Sequence, residues 1–201
     1  MSDRVDGKRV QIITAGISVF GRYGYRRTSM DLIARTAGVS RPALYQYFKN
    51  KQEVFRAVAQ HVSAQVTTAA REAGEKGRAL PAEDRLYLVL AVKLDVLTGS
   101  VRAESHAELF REAADIAADT VHAFEESYRT VIEDVLHDCA DELDLLGPVL
   151  SARDTADLLC DALAGIAQAR QAPQAKHARL RHLAQLTVRG LTRTPEDAST
   201  C

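Results

Sequence analysis

Glycine and proline are scarce in this 201-residue sequence, with 11 and 5 copies, and aromatic residues make up only 5% of it. Its long periodic segments also lack the strict alternation of apolar and polar residues that marks strands. Hydrophobic residues nevertheless reach 46%, mostly Ala, Leu and Val. These shortages argue against a strand-rich fold and predict an all-α protein.

Cysteine is equally sparse. Cys139, Cys160 and Cys201 show no CxxC spacing, which excludes the usual structural zinc and redox motifs. Cys139 and Cys160 are expected to be small core hydrophobes, and Cys201 a free thiol on a polar tail. No metal and no organic cofactor is expected. The most apolar run, Leu86 to Val92, stops at Lys93 and is too short to span a bilayer. Met1 to Asp6 is polar, unlike a secretory leader. A cytoplasmic protein with no membrane partner is the expectation.

Enzyme motifs are missing as well. There is no Gly-rich phosphate loop, no HExxH and no GxSxG elbow. A di-iron bundle needs two Glu-x-x-His motifs, and the nearest approach is a single Asp134-Val135-Leu136-His137. The chain is read as a non-enzyme.

What the chain does have is a charge asymmetry. Residues 1 to 56 carry eleven Lys and Arg against four acids, Asp3, Asp6, Asp31 and Glu53, a net of +7. The whole chain is at −1, so the remainder is at −8. A basic module joined to an acidic one directs a polyanion to the first part.

Helical periodicity organises that basic part. Val10, Ile13, Ile17 and Phe20 share one face of a first helix, about Arg4 to Tyr23, which Gly24 ends. Thr28 and Asp31 have capping-box spacing and open a second helix, Ser29 to Ala37. Gly38-Val39 breaks it, and Ser40 caps a third helix whose early Pro42 is tolerated in the first turn. Asn50 and Glu53 repeat the cap pattern and open a fourth helix reaching about Glu75. Residues 28 to 51 therefore read as a helix-turn-helix.

Further helices are expected at Pro81 to Leu97, about Arg102 to Ala113, Asp115 to about Leu145, Ser151 to Arg170 and Gln174 to Thr192, about nine in all. The expected domains are a helix-turn-helix domain at 1–50, a helical ligand-binding and dimerisation domain at 51–193, and a disordered tail at 194–201.

On the third helix, Leu44 and Phe48 face one side, toward Ile33, Ala34 and the first helix. Pro42, Gln46 and Lys49 lie opposite, flanked by Ala43, Tyr45 and Tyr47. That polar and aromatic face suits a major groove. Arg41 can fork onto a guanine and Gln46 onto an adenine. Thr28, Ser29, Asn50 and Lys51 supply phosphate donors at helix starts, a role that for Thr28 and Asn50 is compatible with capping, and Tyr47 adds a phenolic hydroxyl.

The run from Thr28-Ser29-Met30-Asp31-Leu32-Ile33-Ala34 through Gly38-Val39-Ser40-Arg41-Pro42-Ala43-Leu44-Tyr45-Gln46-Tyr47-Phe48 to Asn50-Lys51 resembles the TetR family of regulators. The resemblance is strong over about a quarter of the chain and rests elsewhere on helix count and order. It implies a three-helix DNA-binding domain, a larger helical domain that binds a small-molecule inducer, and a homodimer built on the last two helices. By position it implies phosphate contacts at Thr28 and Lys51, base contacts at Arg41, Pro42, Ala43, Tyr45 and Gln46, and a backbone contact at Tyr47.

By the same analogy, a pocket is expected among His61, Tyr87, His106, Phe110, His122, Phe124 and Tyr128. A dimer face is expected from Leu159, Leu163, Ile166 and Arg170 with Leu180, Ala184, Thr187 and Leu191, which keep one helical face. The implied function is a repressor that holds a palindromic duplex operator and is released by its inducer. The alternatives are a helix-turn-helix protein that is constitutive or controlled by a protein partner and, more remotely, a helical-bundle enzyme.

Overall fold

The computed structural model describes residues 2–98 and 115–192. The elements are helical: α1 (Ser2–Arg27), α2 (Met30–Thr36), α3 (Arg41–Tyr47), α4 (Lys51–Lys76), α5 (Ala82–Thr98), α6 (Ala118–Asp138), α7 (Ala152–Gln168) and α8 (Pro173–Leu191). Eight helices thus stand among the described residues, in an all-α fold. The expected helix at about 102–113 lies outside those residues, as do His106 and Phe110. Two compact units divide the chain: Met1–Gln65 with Gly99–Phe124, and Val66–Thr98 with Glu125–Cys201. Where the sequence suggested a division at residue 50, the first unit continues along α4 to Gln65.

In the first unit, Gly24 breaks α1 at φ 75°, and one helical turn resumes up to Arg27. Ile12, Ile13, Val19 and Phe20 carry the buried face of α1; of the stripe expected from the sequence, Ile13 and Phe20 are on it, Ile17 is half-buried and Val10 is 49% exposed. Phe20 meets Phe55 of α4 edge to face at 5.0 Å, and Tyr25 meets Phe55 at 5.1 Å. Ile33, Leu44, Phe48 and Val54 complete this core, and Ile116, just before α6, packs against it. The Arg56 Nε donates to the Ile116 carbonyl at 2.9 Å.

In the second unit, α5 packs against α7 and α8, and α7 against α8. Leu86, Leu90, Leu94, Tyr128, Ile132, Leu136, Leu159, Leu163 and Leu180 form its core. Gly74 lets α4 lie close to α5 and α6, since a Cβ there would come within 3.2 Å of Val135 and 3.3 Å of Val89. Beside it the buried Arg85 guanidinium donates to the Gly74 carbonyl at 2.8 Å and to the Asp138 carboxylate at 2.6 Å. Cys139 and Cys160 are buried, and burial pushes both thiols above their ordinary range.

Helix α6 ends at Asp138, seven residues before the expected Leu145. Asp138, Asp141, Glu142 and Asp144 cluster there, and carboxylates oppose the negative end of a helix dipole. The chain instead makes turns, with Gly147 at φ 89°, and ties Leu145 N–H to the Leu191 carbonyl at 2.8 Å. Ser151 caps α7 as expected, accepting from Asp154 N–H at 3.0 Å.

Candidate nucleic-acid interface

The turn between α2 and α3 is closed by backbone and side-chain bonds together. Gly38 takes φ 62°, a left-handed conformation in which a Cβ is strained. The Val39 amide donates to the Ala34 carbonyl at 3.0 Å, and Gln11 Nε2 from α1 donates to the Ala37 carbonyl at 2.8 Å. Ser40 then caps α3, its Oγ accepting from Ala43 N–H at 3.3 Å. At only seven residues, α3 depends on packing for its stability. That packing comes from Leu44 and Phe48, 0% and 3% exposed, as the sequence face predicted.

Burying Leu44 and Phe48 turns Arg41, Pro42, Tyr45 and Gln46 outward. Ala43 is half-buried, and so is Tyr47, which packs on the core. Arg9, Arg26, Arg27, Arg35 and Lys49 are exposed in the same unit. The Arg9 guanidinium lies over the Phe48 ring at 5.3 Å. Hydrogen bonding to Tyr45, then the charge of Asp31, holds the Arg41 guanidinium above its ordinary pKa. It therefore stays charged at any working pH.

The residues expected to meet phosphates divide differently. Ser29, not Thr28, caps α2: its Oγ accepts from Leu32 N–H at 3.2 Å. The Thr28 hydroxyl is buried and donates to the Gly24 carbonyl at 2.7 Å, closing the end of α1, so the expected Thr28 to Asp31 capping box does not form. Lys51 is half-buried, with its ammonium on the carbonyls of Tyr25 and Thr28 and over the Tyr25 ring. Asn50 is exposed and caps α4 as expected, accepting from Glu53 N–H at 2.9 Å, while Glu53 accepts from Lys49 N–H at 2.7 Å. Asp31, Tyr25 and Gln11 were missed as site residues because their partners lie 10 to 26 positions away in sequence.

The residues expected to line a pocket are spread over both units. His61, His122 and Phe124 belong to the first, and Tyr87 and Tyr128 to the second. Tyr128 is fully buried and donates its hydroxyl to the Val89 carbonyl at 2.8 Å, and desolvation raises its pKa well above the ordinary value. Tyr87 Oη is 3.2 Å from His177 Nδ1, and His177 Nε2 is 2.9 Å from an Asp95 oxygen.

On the expected dimer face, Leu159, Leu163, Ile166, Leu180, Ala184 and Leu191 are buried inside the protomer, at most 6% exposed. This corrects the reading from periodicity, which marks the most apolar face of a helix whether its cover comes from the same chain or another. Arg170 is exposed and Thr187 half-buried. The exposed apolar side chains of α7 and α8 are Leu158, at 58%, and Leu186, at 67%. With Leu150, Leu183, Thr187 and Gly190 they line a surface groove of about 210 Å³.

Residues 12–58 match the family described as bacterial regulatory proteins, tetR family. The HTH-type transcriptional activator FasR of Mycolicibacterium smegmatis is 41% identical over 68 residues, 34% of this chain and 31% of that protein, so the match spans about a third of its length. A crystal structure from Mesorhizobium loti assigned to the same family superposes with a TM-score of 0.75 at 19% identity, covering 94% of this chain and 99% of that one. The regulator FadR of Bacillus subtilis, solved with stearoyl-CoA, superposes at 0.65 and 19%, covering 91% and 97%. Residues 12–58 thus match the N-terminal module of the TetR family of bacterial regulatory proteins, on a fold shared with solved structures assigned to that family.

Proposed function

We propose that the protein binds a palindromic duplex operator as a homodimer, reads bases with α3, and releases the operator when a small molecule binds its second unit. The observation that carries the reading is the outward set Arg41, Pro42, Tyr45 and Gln46, held on a closed core in a segment of net charge +7. Ser29 and Asn50, exposed at the starts of α2 and α4, are assigned to phosphates, with Ala43 and Tyr47 at the edge of the contact. Thr28 and Lys51 act by fixing the junction between α1, α2 and α4.

Two half-sites about 34 Å apart need two readers. The exposed Leu158 and Leu186 supply a self-complementary apolar face for a two-fold dimer. For the small molecule, the stearoyl-CoA in the FadR crystal makes a long-chain acyl thioester the first compound to try. Among the described residues no helix is long and apolar enough to cross a membrane, in keeping with a regulator in the cytoplasm.

Selection of a randomised duplex pool with the purified full chain, at two stated salt concentrations, tests the reading. A palindromic consensus is expected, and adding the acyl thioester is expected to weaken its binding. Failure to retain any duplex at low salt overturns the reading. Retention unaffected by thioesters or by a metabolite panel favours a regulator without a small-molecule inducer.

A further inference from the structure

Asp31 is a carboxylate on a surface offered to a polyanion. Of the four acids in residues 1 to 56, Asp3 and Asp6 lie near the N-terminus and Glu53 caps the Lys49 amide, which leaves Asp31 beside the reading helix. Its place in the first turn of α2 favours that helix through the dipole. Many first-turn acids do no more than this.

Here, however, both Asp31 oxygens lie on one nitrogen of the residue best suited to read a base. Arg41 Nη1 is 3.2 Å from Asp31 Oδ1 and 3.3 Å from Oδ2, and the guanidinium carbon stands 5.7 Å from the centroid of the Tyr45 ring. The carboxylate takes up Nη1, and the Nε and Nη2 edge, one of the two that can fork onto guanine O6 and N7, lies outside the ion pair, while a hydrogen bond to Tyr45 also holds the guanidinium. Both side chains are open to solvent, 60% exposed for Arg41 and 44% for Asp31. Such a pair is weak in water, so it steers the long arginine side chain without locking it.

Resting on the DNA-binding reading above, we propose that Asp31 is a positioning residue for base selection. It holds Arg41 with one edge ready for guanine, and it penalises sequences without that guanine. On such sequences Arg41 turns to a phosphate, and the Asp31 carboxylate is left unpaired beside the phosphate backbone. Selectivity here comes from a repulsive element as well as an attractive one.

The test uses the full chain as wild type, Asp31→Asn, Arg41→Ala and the double variant, each against a randomised duplex pool and one fixed unrelated duplex. In Asp31→Asn, binding to the unrelated duplex is expected to tighten by roughly threefold or more, while guanine preference at the Arg41 position falls by a similar factor. In the Arg41→Ala background the Asp31→Asn change is expected to leave base preference untouched, and Asp31→Glu is expected to restore it in part. An Asp31→Asn protein with wild-type preference overturns the proposal, as does an even loss of affinity on all sequences, which marks a helix-start role only. Asp31→Ser replaces Asp31→Asn if the latter melts early. A wild-type chain that binds no duplex removes the DNA-binding reading itself, an outcome distinct from both.

Discussion

Lys51 holds Tyr25 at two points: its ammonium donates to the Tyr25 carbonyl at 2.9 Å and lies 4.1 Å from the centroid of the Tyr25 ring. A second bond, to the Thr28 carbonyl at 3.0 Å, fixes the segment between α1 and α2 to the start of α4. Lys51→Met keeps the aliphatic stem and loses both charged bonds, at an expected cost of roughly 1–3 kcal/mol in urea unfolding. Operator affinity is expected to fall evenly across sequences with the salt dependence unchanged. A slope shallower by about one unit would instead make the ammonium a phosphate contact.

Leu158 and Leu163 lie on opposite sides of α7 in energetic terms, 58% and 0% exposed. Leu163→Ala is expected to cost about 2–5 kcal/mol by opening a cavity. Leu158→Lys is expected to leave the protomer within about 0.5 kcal/mol of wild type and yet to separate the proposed dimer in sedimentation. A Leu158→Lys protein that sediments as wild type removes this face from the interface.

Two glycines of the first unit are expected to resist alanine for different reasons. At Gly38 there is room, the nearest atom to a Cβ being Gln11 Nε2 at 3.9 Å, so the expected cost of roughly 1–2 kcal/mol is that of a left-handed backbone. At Gly16 the backbone is helical, but a Cβ would stand 2.8 Å from Val58 Cγ2, and overpacking is expected to cost about 1–3 kcal/mol. Replacing Val58 by Ala is expected to rescue Gly16→Ala and to do nothing for Gly38→Ala in thermal melts.

Acid sensitivity follows from two carboxylates. The Arg85 guanidinium holds Asp138 below its ordinary pKa, and Arg153, followed by Arg129, does the same for Glu126. A depressed carboxylate contributes stability that is full above its unfolded pKa, about 4, and is lost as pH falls through the folded value. The melting temperature is therefore expected to hold from neutral pH to about 5 and to drop below it. Asp138→Asn is expected to melt lower at neutral pH and to show a shallower acid decline; an undiminished decline would shift the cause to other carboxylates.

The parts of this architecture that were legible in the sequence are those encoded within about four residues. Gly24 and Gly38 announced breaks, and Ser40, Asn50 and Ser151 announced helix starts. Leu44 and Phe48 announced the buried side of α3, and hence its outward side. Local chemistry was less decisive where two residues competed for one job, as when Ser29 took the cap and left Thr28 to the Gly24 carbonyl. Periodicity found the apolar stripe of α7 and α8, but what covers a stripe is set by tertiary packing. The engagement of Lys51 with Tyr25, and of Arg41 with Asp31, needed the chain folded back on itself.

Ile116 comes more than fifty residues after the helix-turn-helix yet packs on its core, and Arg56 donates to its carbonyl at 2.9 Å. The first unit is therefore discontinuous in the chain. During synthesis its core stays uncovered on that side until residue 116 has emerged from the ribosome. A fragment cut at Gln65 carries every side chain proposed to read bases but leaves bare the apolar surface that Ile116 covers, and a hybrid that moves this module onto another protein has to bring a substitute for Ile116.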